Sequence, residues 1–428
     1  MLKWLSPLLL ALPVALLGVL FGWRPLLIFI LAMISLVPLS AIIGSYTERL
    51  GQYYGEVASG LLDATFGNAP EIIIGILLIL GIAPVPGTDQ IIKALIIGSI
   101  VSNALFVLGS SIFVGALRNG RMVFSPDRAG SYASMLALAV AGLALPALAV
   151  FVGNGTVKLS KPDDQIHLSV VVAIVLLVSY AAYLASTIFN VGERGHPSRR
   201  ERGERHAGEA ARREIAERNH EHVAEVAPVL GDGHGGAPTE VERLERAEED
   251  DEAKARAKRA ELRRGNGRRI AGAIAILAVA TALVVVASIV LVSVMDDVII
   301  HTAKSSFPLR PFFVGFVVLP FITNAVEQVG AITCSLRNNM EEAMAIAAGS
   351  GVQMALLVAP VLLLASLALG HPLAQGLVFS KLELIIVTLV TFVYALVSLD
   401  GETTWLEGLQ LIAFYVMVAA AAFFFPAG

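Results

Sequence analysis

Two glutamates, Glu71 and Glu327, stand in otherwise apolar stretches, each three residues after an asparagine: "GNAPE" at 67–71 and "TNAVE" at 323–327. The pattern Asn-Ala-x-Glu occurs once in each half of the chain. A charged side chain at the centre of a membrane helix costs about 2.5–3.5 kcal/mol on insertion scales, so intramembrane acids usually face a cavity or a partner. A spacing of three puts Asn68 on the helical face of Glu71, and Asn324 on that of Glu327. Helix breakers accompany both acids: Gly67 and Pro70 in the first copy, Pro320 and Thr323 in the second. Pro70 has no N–H to give the carbonyl of Phe66, and a carbonyl released at membrane depth is tolerable only where it meets protein, water or an ion. One such glutamate could be a polar contact between packed helices. A second at the matched place points to a site.

The stretch that follows also recurs. "GSIVSNALFVLG" at 98–109 matches "GSGVQMALLVAP" at 349–360, aligning Ser99 with Ser350 and Ser102 with Gln353. Two carboxylates, two carboxamides, hydroxyls and backbone oxygens near Gly67 and Thr323 make a hard, all-oxygen donor set. Ca²⁺ takes 6–8 such ligands in flexible geometry, and two bidentate glutamates provide up to four. Neither copy offers His or Cys, which disfavours softer metals, while Mn²⁺ is acceptable on ligand grounds. With no intramembrane Lys or Arg to neutralise them, the paired carboxylates are also natural proton carriers, so exchange of a divalent cation against protons at one shared site follows. Ser102 and Asn103 are expected to line the cavity, as are Asp63, Phe66 and Pro70, although small polar residues also mediate ordinary helix packing.

The elements that must hold these residues are membrane helices. The chain has 428 residues, 56% hydrophobic and 15% charged, with a mean hydropathy of +0.75, far too apolar for a soluble protein of this length. At about 20 apolar residues per crossing of a bilayer core of roughly 30 Å, eleven spans are expected: 5–22, 25–45, 57–81, 91–117, 131–153, 166–190, 269–294, 311–335, 342–369, 376–399 and 404–425. The fold expected is therefore an all-α polytopic membrane protein with one N-terminal helix (1–22), a first five-helix repeat (23–192), a charged loop (193–268) and a second five-helix repeat (269–428). An odd number of helices per repeat inverts the second relative to the first, an architecture of secondary transporters whose sites lie at the midplane on broken helices.

More than half of all charged side chains fall in the loop, where acids and bases nearly cancel, so no nucleic-acid partner is implied. Thr239 and Glu242 fit a capping box opening a helical piece there. Five of the eight histidines also fall there, and a solvated linker is the preferred account of them. Asp400, Glu402 and Glu407 are expected at a membrane surface. With the loop cytosolic the N-terminus is cytosolic too, and Arg118, Arg121 and Arg128 obey the positive-inside rule, while Arg24, Lys158, Lys161, Lys304 and Arg310 oppose it. A plasma (inner) membrane is preferred over an organelle.

"ATFGNAPEIIIGI" and "LPFITNAVEQVGAI" resemble the two signatures of the calcium/proton exchanger (CAX) branch of the calcium/cation antiporter superfamily, with "GSIVSN", "GSGVQMALLVAP" and "LVSLDGETTWLEGLQLIAFY" as further matches. The chain departs from the second signature at Thr323, usually glycine, at Val326, usually alanine, and at Gln328, where histidine is common. The resemblance implies that Glu71 and Glu327 bind the cation and exchange it for protons, with Asn68, Asn324, Ser99, Ser350 and Gln353 close by. It implies a secondary transporter rather than an enzyme, with Ca²⁺ and H⁺ as substrates, the lipid bilayer as surroundings and no resident cofactor. The alternatives are a Na⁺-driven Ca²⁺ exchanger, a channel, or an intramembrane hydrolase using paired acids. The last lacks H-E-x-x-H and any accompanying ligands for a water-activating metal.

Overall fold

A computed structural model describes residues 6–54, 62, 65–153, 162–189, 267–303, 305, 307–371, 373 and 375–424. Asp63 and the stretch 193–266, with its expected capping box and histidines, lie outside the described residues. The chain divides into two compact units, Met1–Ala182 with Gly267–Gly428, and Tyr183–Asn266. The site and its scaffold belong to the first; of the second, only the helical end at 183–189 is described.

With no water to satisfy backbone groups in a bilayer core, apolar stretches of this length fold as helices. Those described are α1 (Ala11–Leu20), α2 (Pro25–Tyr54), α3 (Ala69–Ile79), α4 (Thr88–Asn119), α5 (Pro126–Gly153), α6 (Pro162–Phe189), α7 (Gly267–Thr302, interrupted at Val294), α8 (Pro311–Thr323), α9 (Ala325–Leu336), α10 (Met340–Ala368), α11 (Lys381–Val397) and α12 (Trp405–Phe424). Helix occurs in each of the eleven expected intervals. By length and composition seven are able to cross a membrane, or eight if the bent pair α8–α9 is one span, and α1 and α3 are short apolar helices. The gap between the expected spans 57–81 and 91–117 is a turn, "APVPGTDQ" at 83–90, with Gly87 at φ 70° immediately before α4, a conformation that favours glycine.

The first helices of the two repeats, α2 and α7, pack along one another. At the centre lies α4, buried without interruption from Ile91 to Val101. Two other helices approach its backbone closely through glycine. A Cβ at Gly98 would collide with the carbonyl oxygen of Phe316 on α8, and one at Gly315 would lie 2.5 Å from the carbonyl of Ile91. Gly109 and Gly408 bring α12 equally close further along. Small residues at such crossings let backbones approach, where van der Waals contact holds membrane helices together.

Both α4 and α10 widen into a π turn just past the repeated Gly-Ser motif, at Ser102–Val107 and at Met354–Val358. A third such turn, Val314–Val318, precedes the break between α8 and α9. Turns of this kind are frequent at functional sites because the extra residue re-aims the side chains that follow.

A two-residue antiparallel pairing, β1 (Met122–Val123) with β2 (Glu402–Thr403), joins the α4–α5 connection to the α11–α12 connection. Arg121 adds an exposed ion pair to Glu402 at 2.6 Å. Glu407 accepts from the backbone N–H of Thr404 at 2.7 Å and from the hydroxyl of Thr403 at 3.0 Å, closing the start of α12.

Candidate cation site

Pro70 does not kink a continuous helix. It sits in the first turn of α3, where its missing N–H is one of those a helix start leaves unpaired in any case. The break precedes it, at the Gly67–Asn68 turn, and Asn68 has φ −103° and ψ 25°. The second copy is built alike: α8 ends at Thr323, Asn324 has φ −84° and ψ 12°, and α9 sets off at 49° to α8. Both asparagines occupy the helix-capping position, yet neither side chain caps its own helix. The carboxamides reach across to the other repeat instead. Glu71 and Glu327 follow in the first turns of α3 and α9, at the helix ends whose dipole favours negative charge.

Four contacts join the two halves here. Asn68 Nδ2 donates to Gln353 Oε1 on α10 at 2.6 Å. Asn324 Nδ2 donates to the backbone carbonyl of Ser99 on α4 at 3.4 Å. Asn103 Nδ2 donates to Ser350 Oγ at 2.9 Å. The Glu71 carboxylate lies against the Thr323 hydroxyl, without the alignment of a good hydrogen bond, since Glu71 Oε2 and Thr323 Oγ1 both make none. Ser102 and Asn103 stand three and four residues after Ser99, on its face of α4. Gly67 and Phe66 are half-buried beside the first break.

Several oxygens in this region are buried and unbonded within the protein: Glu71 Oε2, Ser99 Oγ, Ser102 Oγ, Asn103 Oδ1 and Thr323 Oγ1. Leaving such a group unsatisfied costs about 1–3 kcal/mol, so five together are a poor structural choice and a good set of donors for a hard cation. Among the described residues there is no cluster of three or more His, Cys, Asp and Glu able to hold a metal, so the donors here are mostly uncharged oxygens. Exposure differs between the acids, Glu71 being 1% exposed and Glu327 half-buried.

Two features were not expected. Tyr415 on α12 places its ring against Phe106, 5.0 Å between centroids, and its hydroxyl beside Ser102. It closes the "LQLIAFY" match, but nothing in its spacing marks it. Lys93 is buried in α4 at 9% exposure, contrary to the expectation of no intramembrane cation.

A family model described as "Sodium/calcium exchanger protein" matches residues 24–189 and 272–424. The chain belongs to this exchanger family. The exchanger is 33% identical over 405 residues to the Ca(2+)/H(+) antiporter of Synechocystis sp., covering 95% of this chain and 93% of that one. It is 32% identical over 419 residues to the Ca(2+)/H(+) antiporter of Aphanothece halophytica, covering 98% and 96%, and 30% identical over 422 residues to a vacuolar calcium ion transporter of Schizosaccharomyces pombe, covering 97% and 83%. Its fold matches the solved Ca2+/H+ antiporter protein YfkE with a TM-score of 0.68 at 25% identity, over 99% of this exchanger and 100% of YfkE. An H+/Ca2+ exchanger CAX matches in fold with a TM-score of 0.60 at 14% identity, over 98% and 91%. The motif resemblance to the calcium/proton branch and these full-length matches agree. The exchanger is thus an integral membrane protein with the repeat fold of that branch.

Proposed function

We propose that this exchanger is a secondary antiporter that moves Ca²⁺ against H⁺ by alternating access to one midplane site, with Glu71 and Glu327 as the shared cation and proton carriers. Asn68, Asn324, Ser99, Ser350, Gln353 and the backbone near Gly67 and Thr323 complete the cation shell, and Ser102 and Asn103 line the cavity. The observation that carries this reading is the crossed pair of amides, from Asn68 to Gln353 and from Asn324 to Ser99. Each broken helix is held by the opposite repeat next to the acid that follows the break.

A carboxylate that takes a proton loses its negative charge and most of its capacity to ligate a cation. Protons and Ca²⁺ therefore exclude one another at the same oxygens, and loading one expels the other. Coupling needs no second site. The sealed Glu71 and the half-buried Glu327 fit a state in which solvent reaches the site from the α9 side. The relatives named as Ca(2+)/H(+) antiporters support Ca²⁺ as the cargo, and Mn²⁺ is carried by the same hard-oxygen chemistry. We place the protein in a plasma (inner) membrane, with the N-terminus and the 193–268 loop cytosolic. The test is divalent uptake into vesicles holding the purified protein, driven by an imposed pH gradient without Na⁺. Ca²⁺ accumulation in wild type and none in Glu71→Gln is the expected result, and uptake that requires Na⁺ overturns the proton-coupled reading.

A further inference from the structure

Helix α12 lies antiparallel against the second half of α4. Gly408 faces Phe113, Leu411 faces Gly109 and Tyr415 meets Phe106, so the two helices advance past one another in opposite directions. Their backbones approach closely: a Cβ at Gly408 would collide with the Phe113 nitrogen, and one at Gly109 would lie 2.8 Å from Leu411 Cβ. Packing this tight fixes where Tyr415 stands. Its ring centroid is 5.0 Å from that of Phe106, which is in turn 5.3 Å from that of Phe321, two residues before Thr323. Its hydroxyl lies beside Ser102 in the π turn, four residues before Phe106.

Ser102 is 1% exposed and Tyr415 5%, and neither hydroxyl makes a hydrogen bond. A serine inside a helix can donate to a carbonyl one turn earlier, as Ser110 and Ser111 do further along α4, to Val107 at 3.1 Å and Leu108 at 2.7 Å. Ser102 does not. The carbonyl three residues before it, that of Ser99, receives Asn324 Nδ2 instead. Phenylalanine at 415 would keep the ring contact and bury no unpaired hydroxyl, so the phenol stands there at a cost in stability. It stands next to a serine that lines the proposed cation cavity.

We propose that Tyr415 is a positioning residue for cation binding, an inference that rests on the proposed site: its phenol oxygen accepts the Ser102 hydroxyl hydrogen, which leaves the Ser102 lone pairs to the cation or its water. A hydroxyl has one hydrogen and two lone pairs. Fixing the hydrogen on Tyr415 turns the negative end of the Ser102 dipole toward the cargo. The bond forms by side-chain rotation, and no proton is transferred. Helix α12, which carries neither broken helix nor π turn, thereby takes part in the site through α4.

Tyr415→Phe keeps the ring on Phe106 and removes only the hydroxyl. It should raise the Ca²⁺ concentration for half-maximal uptake by about 2–10-fold, the contribution of one hydrogen bond. The maximal rate should stay near wild type, and melting without Ca²⁺ should be unchanged or higher. Ser102→Ala should act in the same direction, and adding Tyr415→Phe to it should change nothing further, because the first substitution has already removed what the second acts through. An unchanged half-maximal concentration in Tyr415→Phe overturns the proposal, as do effects of the two substitutions that multiply. A joint fall in melting temperature and maximal rate would assign the phenol to packing and overturn it too. Should wild type show no proton-driven uptake, the proposed function fails, and the Ca²⁺-induced rise in melting temperature of the same four proteins decides instead. A rise weakened by each substitution and no further by both supports the role of Tyr415, and any other pattern overturns it.

Discussion

Asn68 of the first repeat donates its side-chain amide to Gln353 Oε1 of the second at 2.6 Å. The residue that a broken helix would ordinarily use to cap itself is spent on the opposite half of the molecule. Asn324 does the same less tightly, on the backbone of Ser99 at 3.4 Å. Asn68→Ala is therefore expected to lower proton-driven Ca²⁺ uptake by about 10–100-fold, the range for residues that orient metal ligands. Asn324→Ala should do so by less. Initial rates in vesicles, normalised to folded protein, check the order.

Glu71→Gln and Glu327→Gln should each reduce uptake to background while leaving a folded, monodisperse protein. An amide keeps the shape of the carboxyl but can neither carry the exchanged proton nor provide a charged ligand. Calcium binding measured directly, for example by stabilisation on melting, should vanish with transport. Full uptake by either variant would refute the shared site.

Thr323→Val and Ser102→Ala separate function from stability. Neither hydroxyl makes a hydrogen bond of good geometry within the protein, so replacing it with an apolar group should change stability by less than about 1 kcal/mol, or raise it. If the hydroxyls serve the cation or its water, uptake should fall severalfold in the same variants. A melting temperature that drops along with uptake would assign them to packing.

The two glycines of the repeated Gly-Ser motif should respond differently. Gly98→Ala drives a methyl group into the Phe316 carbonyl, whereas a Cβ at Gly349 meets nothing within 4 Å. The first should cost on the order of 1–3 kcal/mol or more and the second should stay within about 0.5 kcal/mol, read from thermal unfolding in detergent.

Arg121→Ala removes an ion pair whose side chains are 67% and 47% exposed. Such a surface pair contributes about 0–1 kcal/mol, so uptake and melting should stay close to wild type despite the 2.6 Å contact. A large loss would show that the β1–β2 tie depends on it.

By itself the sequence determined that this is a helical membrane protein with a duplicated core, because apolar run length reports the bilayer and the spacing of Asn68, Glu71, Asn324 and Glu327 reports the duplication. It also singled out most of the polar groups at the site, since carboxylates and amides are costly in lipid and stand out there. Only the tertiary structure decided how they are used. Pro70 reads as a mid-helix breaker until the turn before it shows a new helix starting, with the proline in its first turn. Tyr415 and Phe106 are ordinary aromatic residues of apolar helices until α12 brings them to Ser102. Lys93 carries no local pattern that marks it as buried rather than at the membrane surface. Periodicity records what each helix presents to its surroundings, whereas the partner across a helix crossing depends on how closely backbones such as those at Gly98 and Gly315 approach. That distance is set by packing between segments far apart in the chain.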